Sequence, residues 1–106
     1  MRSIVLQGDA MGFPMAIVNV SDHVCCLQLI AGQAKQLTVP AGANIALFAA
    51  TGPFWCRIGG AVTLPTGDIS DGTAPELNPA GRNVEAGQIL GLVAPAACAI
   101  SISFYR

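Results

Sequence analysis

The chain has 106 residues, a formal net charge of -1, 53% hydrophobic residues and only 10% charged ones. No apolar run approaches the roughly 18 residues that a membrane-spanning helix needs, and Arg2, Lys35, Arg57, Arg82 and Arg106 stand singly instead of forming a basic stripe that would hold nucleic acid. An ordinary soluble domain is about 25% charged, so a surface this poor in charge is expected to lie against another protein.

One domain spanning 1–106 is expected, since a chain of this length buries roughly two-thirds of the surface its unfolded form exposes. The N-terminal segment through Gln7, Gly8 and Asp9 lacks the apolar core of a secretory signal, which predicts synthesis and folding in a cytoplasm. Strand-length apolar segments alternate with Gly, Pro, Asn and Asp, and no stretch carries a 3.6-residue apolar period. The fold class is therefore all-β, an antiparallel β-sandwich or jelly-roll-like barrel.

In chain order, Met15 to Val20 and Val24 to Ile30 read as strands joined into a hairpin by Ser21, Asp22 and His23. Both are apolar on both faces. Gln36 to Val39 alternates, Pro40 to Ala43 turns, and Asn44 to Ala50 is a strand without a polar face, which predicts burial on two sides. Phe54 to Ile58 and Ala61 to Leu64 follow, separated by Gly59 and Gly60, and the turn spacing predicts a meander. Pro65 to Gly87 is rich in turn residues and reads as one long surface loop, an ordered arm or lid. Ile89 to Val93 is a short strand. The last strand sets Cys98, Ile100, Ile102 and Phe104 on a core face and Ala97, Ala99, Ser101, Ser103 and Tyr105 on a small, flat one.

Residues able to carry chemistry are few. The cysteines at 25, 26, 56 and 98 have no metal-ligand spacing and read as small apolar residues, with Cys25 and Cys26 on opposite faces. His23 and Cys25 would share a strand face, but no second His or orienting acid completes a dyad, and His23 reads as a turn residue. Asp68, Asp71 and Glu76 lie within nine residues on one loop and offer oxygen ligands for calcium, while Asp71-Gly72 equally marks a plain turn. Trp55 and Tyr105 are candidates for stacking on a sugar or for anchoring an interface. With Lys35 as the sole lysine, little protects sheet edges from pairing, which again predicts association.

Three stretches carry a resemblance: Ala49 to Trp55 (Ala-Ala-Thr-Gly-Pro-Phe-Trp), Asp71 to Pro79 with its Glu-Leu-Asn-Pro ending, and Ala94 to Cys98 running on to Ser103-Phe104-Tyr105-Arg106. Over roughly residues 43 to 106 the chain resembles small β-rich structural proteins of tailed bacteriophages. The resemblance implies a non-enzymatic virion component without cofactors, a head decoration or cement protein made in the host bacterial cytoplasm. Its partners would be the major capsid protein or other virion proteins, and its own state a homo-oligomer, with a trimer favoured. A head-tail connector or tail component is the alternative within the virion, and a carbohydrate- or host-binding jelly-roll module the alternative outside it. Trp55, Glu76, Leu77, Asn78, Pro79 and Tyr105 are the interface candidates. The Glu76 to Pro79 segment is expected to pack on a neighbouring subunit or on its own sheet edge.

Overall fold

The computed structural model describes residues 1–8 and 14–106, so Asp9 of the N-terminal segment lies outside the described residues. These residues form ten strands and no helix: β1 Leu6–Gly8, β2 Pro14–Val18, β3 His23–Leu29, β4 Lys35–Thr38, β5 Ile45–Ala50, β6 Trp55–Ile58, β7 Glu76–Leu77, β8 Gly81–Asn83, β9 Ile89–Val93 and β10 Cys98–Tyr105. Strands β3 to β10 make two antiparallel four-stranded sheets, ordered β3-β10-β5-β8 and β4-β9-β6-β7. The first and last of these eight strands pair, as do the second and seventh, inward to the tightest pair: β3 with β10, β4 with β9, β5 with β8, β6 with β7. Such a nest of pairs, rolled so that β10 also meets β5 and β9 meets β6, is the strand order of a jelly roll. The result is an open two-sheet sandwich and not a closed barrel.

Alternation along the strands builds the core. Ile100, Ile102 and Phe104 of β10 and Leu90 and Leu92 of β9 are fully buried, and Ala46, Phe54, Cys56 and Leu29 join their cluster. Each large aliphatic side chain placed there contributes about 1.5–3 kcal/mol of transfer free energy. Tight turns are set by glycine at the third position. Ala43 N–H donates to Pro40 O at 3.2 Å with Gly42 at φ 86°, and Gln33 N–H donates to Ile30 O at 3.1 Å with Gly32 at φ 73°, both backbone states that side-chain-bearing residues resist.

Four expectations need correction. Met15 to Val20 and Val24 to Ile30 do not form a hairpin: β2 pairs with β1 in a separate two-stranded ribbon, and β3 pairs with β10. Ala61 to Leu64 is not a strand, because it finds no ladder partner and crosses the outside of the second sheet. Its Val62 is buried there against Gly91, where an added Cβ would stand 2.6 Å from Gly60 O. Pro65 to Gly87 is not one loop, since it contains β7 and β8. The meander is replaced by the nested pairing.

The molecule measures 47 × 27 × 26 Å, with a radius of gyration of 14.9 Å against about 13 Å for a compact chain of this length. The long axis exceeds the others by about 20 Å, close to the ~17 Å of a five-residue strand such as β2. The β1–β2 ribbon forms an N-terminal arm that pairs with no other strand among the described residues.

Candidate interaction surface

The two outer faces of the sandwich differ. Outside the β4-β9-β6-β7 sheet, the chain from Gly60 to Pro75 runs back across the strands. Val62 sits on Gly91, Arg57 Nη1 donates to Thr73 O at 3.0 Å, and Val93 is buried. The chain thus covers that sheet over Gly91 and Arg57, while Ile89 of β9 and Leu77 at the β7 edge stay exposed.

Outside the β3-β10-β5-β8 sheet the register gives cross-strand rows: Val24, Ser103, Leu47 and Gly81; then Cys26, Ser101 and Ala49; then Gln28 and Ala99. None of these side chains is charged. Val24 is 55% exposed, Cys26 and Ala49 are exposed, and a shallow hollow of about 260 Å³ opens beside Cys26, Ala49 and Ser101. The expectation that β3 and β5 are buried on both faces is thus met on the inner face only. At Gly81 an added Cβ would stand 2.9 Å from Leu47 Cδ2, so the missing side chain lets Leu47 lie flat. The face is smooth, small-residued and neutral.

Its far end is closed by the arm's root. Tyr105 points outward from β10 yet is only 3% exposed, because its hydroxyl donates to Asn19 O and the N-terminal segment lies over it. Asn19 in turn accepts from Val5 N–H at 2.8 Å and donates to Ser3 O at 3.0 Å. Ser21, buried, donates from Oγ to Phe104 O at 2.6 Å and accepts from His23 N–H at 3.0 Å. His23 opens β3 with its ring edge-on to Phe104, centroids 5.9 Å apart.

The interface candidates do not converge. Trp55 and Leu77 are cross-strand partners on the outside of the second sheet, Trp55 half-buried and Leu77 52% exposed. Tyr105 lies on the other sheet. Glu76 opens β7, and Asn78 and Pro79 lie on the crossover that carries the chain from β7 at the edge of one sheet to β8 at the edge of the other. Asn78, at φ 49°, donates its N–H to Phe54 O at 2.9 Å and accepts Phe54 N–H on Oδ1 at 2.9 Å. Pro79 is buried, and Glu76 accepts from Arg82 Nε at 2.9 Å and from Arg82 Nη2. The Arg82 guanidinium holds the Glu76 carboxyl below its usual range. This ion pair ties the edges of the two sheets together, so the segment packs on its own sheet edge.

Asp71 is likewise committed locally, accepting Thr73 Oγ1–H at 2.6 Å and Thr73 N–H at 3.1 Å, which lowers its pKa. Among the described residues no group of three His, Cys, Asp or Glu side chains could hold a metal ion, so Asp68, Asp71 and Glu76 do not assemble a calcium site. All four cysteines are free. Cys56 is buried and its thiol is pushed up to about 11 by burial and the nearby Glu76 charge. Cys26 departs from the expectation of a buried small residue and sits exposed on the neutral face.

The residues missed as a group are Val24, Cys26, Leu47 and Ala49, which flank the small-residue face of β10. The signal was the lack of any polar face on β3 and β5. No protein-family model, curated protein or solved structure matches this chain.

Proposed function

We propose that this chain is a non-enzymatic structural protein of a tailed-phage virion, a decoration or cement protein that binds the assembled head. The observation that carries the reading is the contrast between the outer faces. One is crossed over its central strands by the chain's own loop, while the other is neutral, flat and crossed by no such loop, in a protein only 10% charged. A flat neutral face suits burial against a large subunit, because no ion must be desolvated.

Binding to the assembled shell in preference to free shell subunits shifts the equilibrium toward the particle by mass action. Many copies, each held weakly, then reinforce one another when copies are joined. Quantitative peptide mass spectrometry of purified particles tests the role by counting this chain against the major shell protein. Near-stoichiometric copies are expected. A handful per particle would move the protein to a connector or tail, and its complete absence would overturn the virion reading in favour of a sugar-binding module, for which loss of glycan binding on Trp55→Ala is the check.

A further inference from the structure

Strand β3 ends its sheet on one side, and ladder parity decides which of its backbone groups are free. On β10, Ala99 turns its polar groups toward β5, accepting from Thr51 N–H at 3.0 Å and donating to Thr51 Oγ1 at 2.9 Å. These directions alternate along a strand, so Ile100, Ile102 and Phe104 turn theirs toward β3, opposite Leu27, Cys25 and His23. The N–H and C=O groups of Val24, Cys26 and Gln28 therefore point out of the sheet. The Lys35 ammonium takes the Gln28 carbonyl at 2.9 Å. Among the described residues nothing takes those of Val24 and Cys26.

The arm is the second element lacking a partner. A two-stranded ribbon is marginal alone in water, and β1 and β2 pair only with each other. Ile17 and Val20 at its root are 56% and 78% exposed. Residues 6–18 carry a single charge, Asp9.

The link from β2 to β3 joins these two observations. It has the length and polarity of a hairpin turn, and both strands are apolar, yet the hairpin is open. The link is held open by contacts elsewhere: Tyr105 on Asn19 O, Ser21 on Phe104 O, and Arg2 N–H on Asp22 Oδ1 at 3.1 Å. With the link fixed this way, β2 does not pair with its own β3, and the pairing coded in the sequence is left for another molecule.

We infer that β2 of one copy adds as a strand to the free edge of β3 in a second copy of this chain. The added strand receives the open groups of Val24 and Cys26 and gives the ribbon its third strand. It also extends the neutral face without opposing like charges. Exchange of an arm between copies is a low-cost route to association, and backbone pairing along the open part of the edge, at Val24 and Cys26, supplies the affinity. The inference concerns the purified chain alone and stands or falls apart from the virion reading, which is tested by copies per particle.

Light scattering on the purified chain is expected to give a multiple of the single-chain mass. Cys26→Lys and Ile17→Lys, each at an exposed position, should return it to the single-chain mass with an unchanged circular dichroism spectrum, while Cys26→Ser keeps the assembly. Amide hydrogen exchange on the wild-type assembly provides a readout free of variants: Val24 and Cys26 amides should be protected there and exchange rapidly in Ile17→Lys. A wild-type chain that stays single at its highest soluble concentration overturns the inference, as do unprotected Val24 and Cys26 amides in the assembly. An assembly lost with Cys26→Lys but kept with Ile17→Lys overturns the arm's part and points to pairing of two β3 edges.

Discussion

Gly91→Ala tests whether the Gly60–Val62 crossing is pressed onto the second sheet, the contrast on which the choice of interaction face rests. The backbone at Gly91 is not left-handed, so alanine meets no torsional objection there. Its Cβ would stand 2.6 Å from Gly60 O and 3.1 Å from both Val62 N and Val62 Cγ1. A backbone oxygen cannot rotate aside, and overpacking of this kind costs about 1–3 kcal/mol. Against that, replacing glycine restricts the unfolded chain and returns about 0.4–1 kcal/mol. The net loss centres on about 1.3 kcal/mol and reaches at most about 2.6 kcal/mol, and the central value lowers the Tm by roughly 5–10 °C for a domain near 100 residues. Gly81→Ala is the control: its Cβ meets the rotatable Leu47 Cδ2 at 2.9 Å and otherwise only Ala46 O at 3.9 Å. It should change stability by less than about 1 kcal/mol. Urea unfolding followed by the fluorescence of Trp55, at one fixed protein concentration because assembly contributes to stability, separates the two. A Gly91→Ala protein as stable as the wild type would falsify the covered-face description.

Ile102→Asp places a carboxylate where Ile102 is fully buried between β3 and β5, and it should cost several kcal/mol, about 3–5, enough to prevent folding; a soluble variant with a cooperative melt refutes the core assignment. Asn78→Ala loses both the left-handed tolerance and the bond from Phe54 N–H, for about 1–3 kcal/mol, whereas Asn78→Gly loses only the bond and should cost less by chemical denaturation. Because the folded Glu76 carboxyl lies below its ordinary value, its contribution is present above the unfolded pKa and is lost as pH falls through the folded one. Partial exposure of both partners limits this to about 0.2–1 kcal/mol, and Glu76→Gln should remove that share of the acid sensitivity in urea midpoints measured from neutral pH downward. Iodoacetamide at pH 8 should label Cys26 in the folded protein and spare Cys56, whose thiol is buried with its pKa pushed up to about 11; peptide mapping that finds Cys56 modified first contradicts its burial.

Alternation in β10 was legible because both periods of its pattern are expressed in one chain: Ile100, Ile102 and Phe104 turn inward and Ser101 and Ser103 outward. Partner choice was not. Phe104 pairs with His23 across nearly the whole chain, and no local turn signal announces such a pair, whereas a short polar link after β2 announces a hairpin that the chain does not close on itself. β7 and β8, two and three residues long, are too short to leave a period in the sequence. Ala61 to Leu64 has strand composition but serves as a cover, with Val62 seated on Gly91. The interface candidates were chosen for distinctive residues, and distinctiveness in Glu76, Asn78 and Pro79 reflects the geometry of crossing between sheets. The bare face went unnamed as a unit because its marker is a lack of charge spread over three strands distant in sequence.

The position of β10 also governs how the chain is made. It is synthesised after the other nine strands, yet it lies in the interior of its sheet, hydrogen-bonded on both sides to β3 and β5. Until Cys98–Tyr105 leaves the ribosome, those two strands have no common neighbour, and their inward residues Leu27, Leu29 and Phe48 have no Ile100 or Ile102 to pack against. Pairing across such sequence separations is slow, and transiently unpaired apolar strands are the species that aggregate. A nascent chain of this design acquires its fold late and all at once. Its yield in the cell therefore depends on how well it is shielded before the final strand arrives.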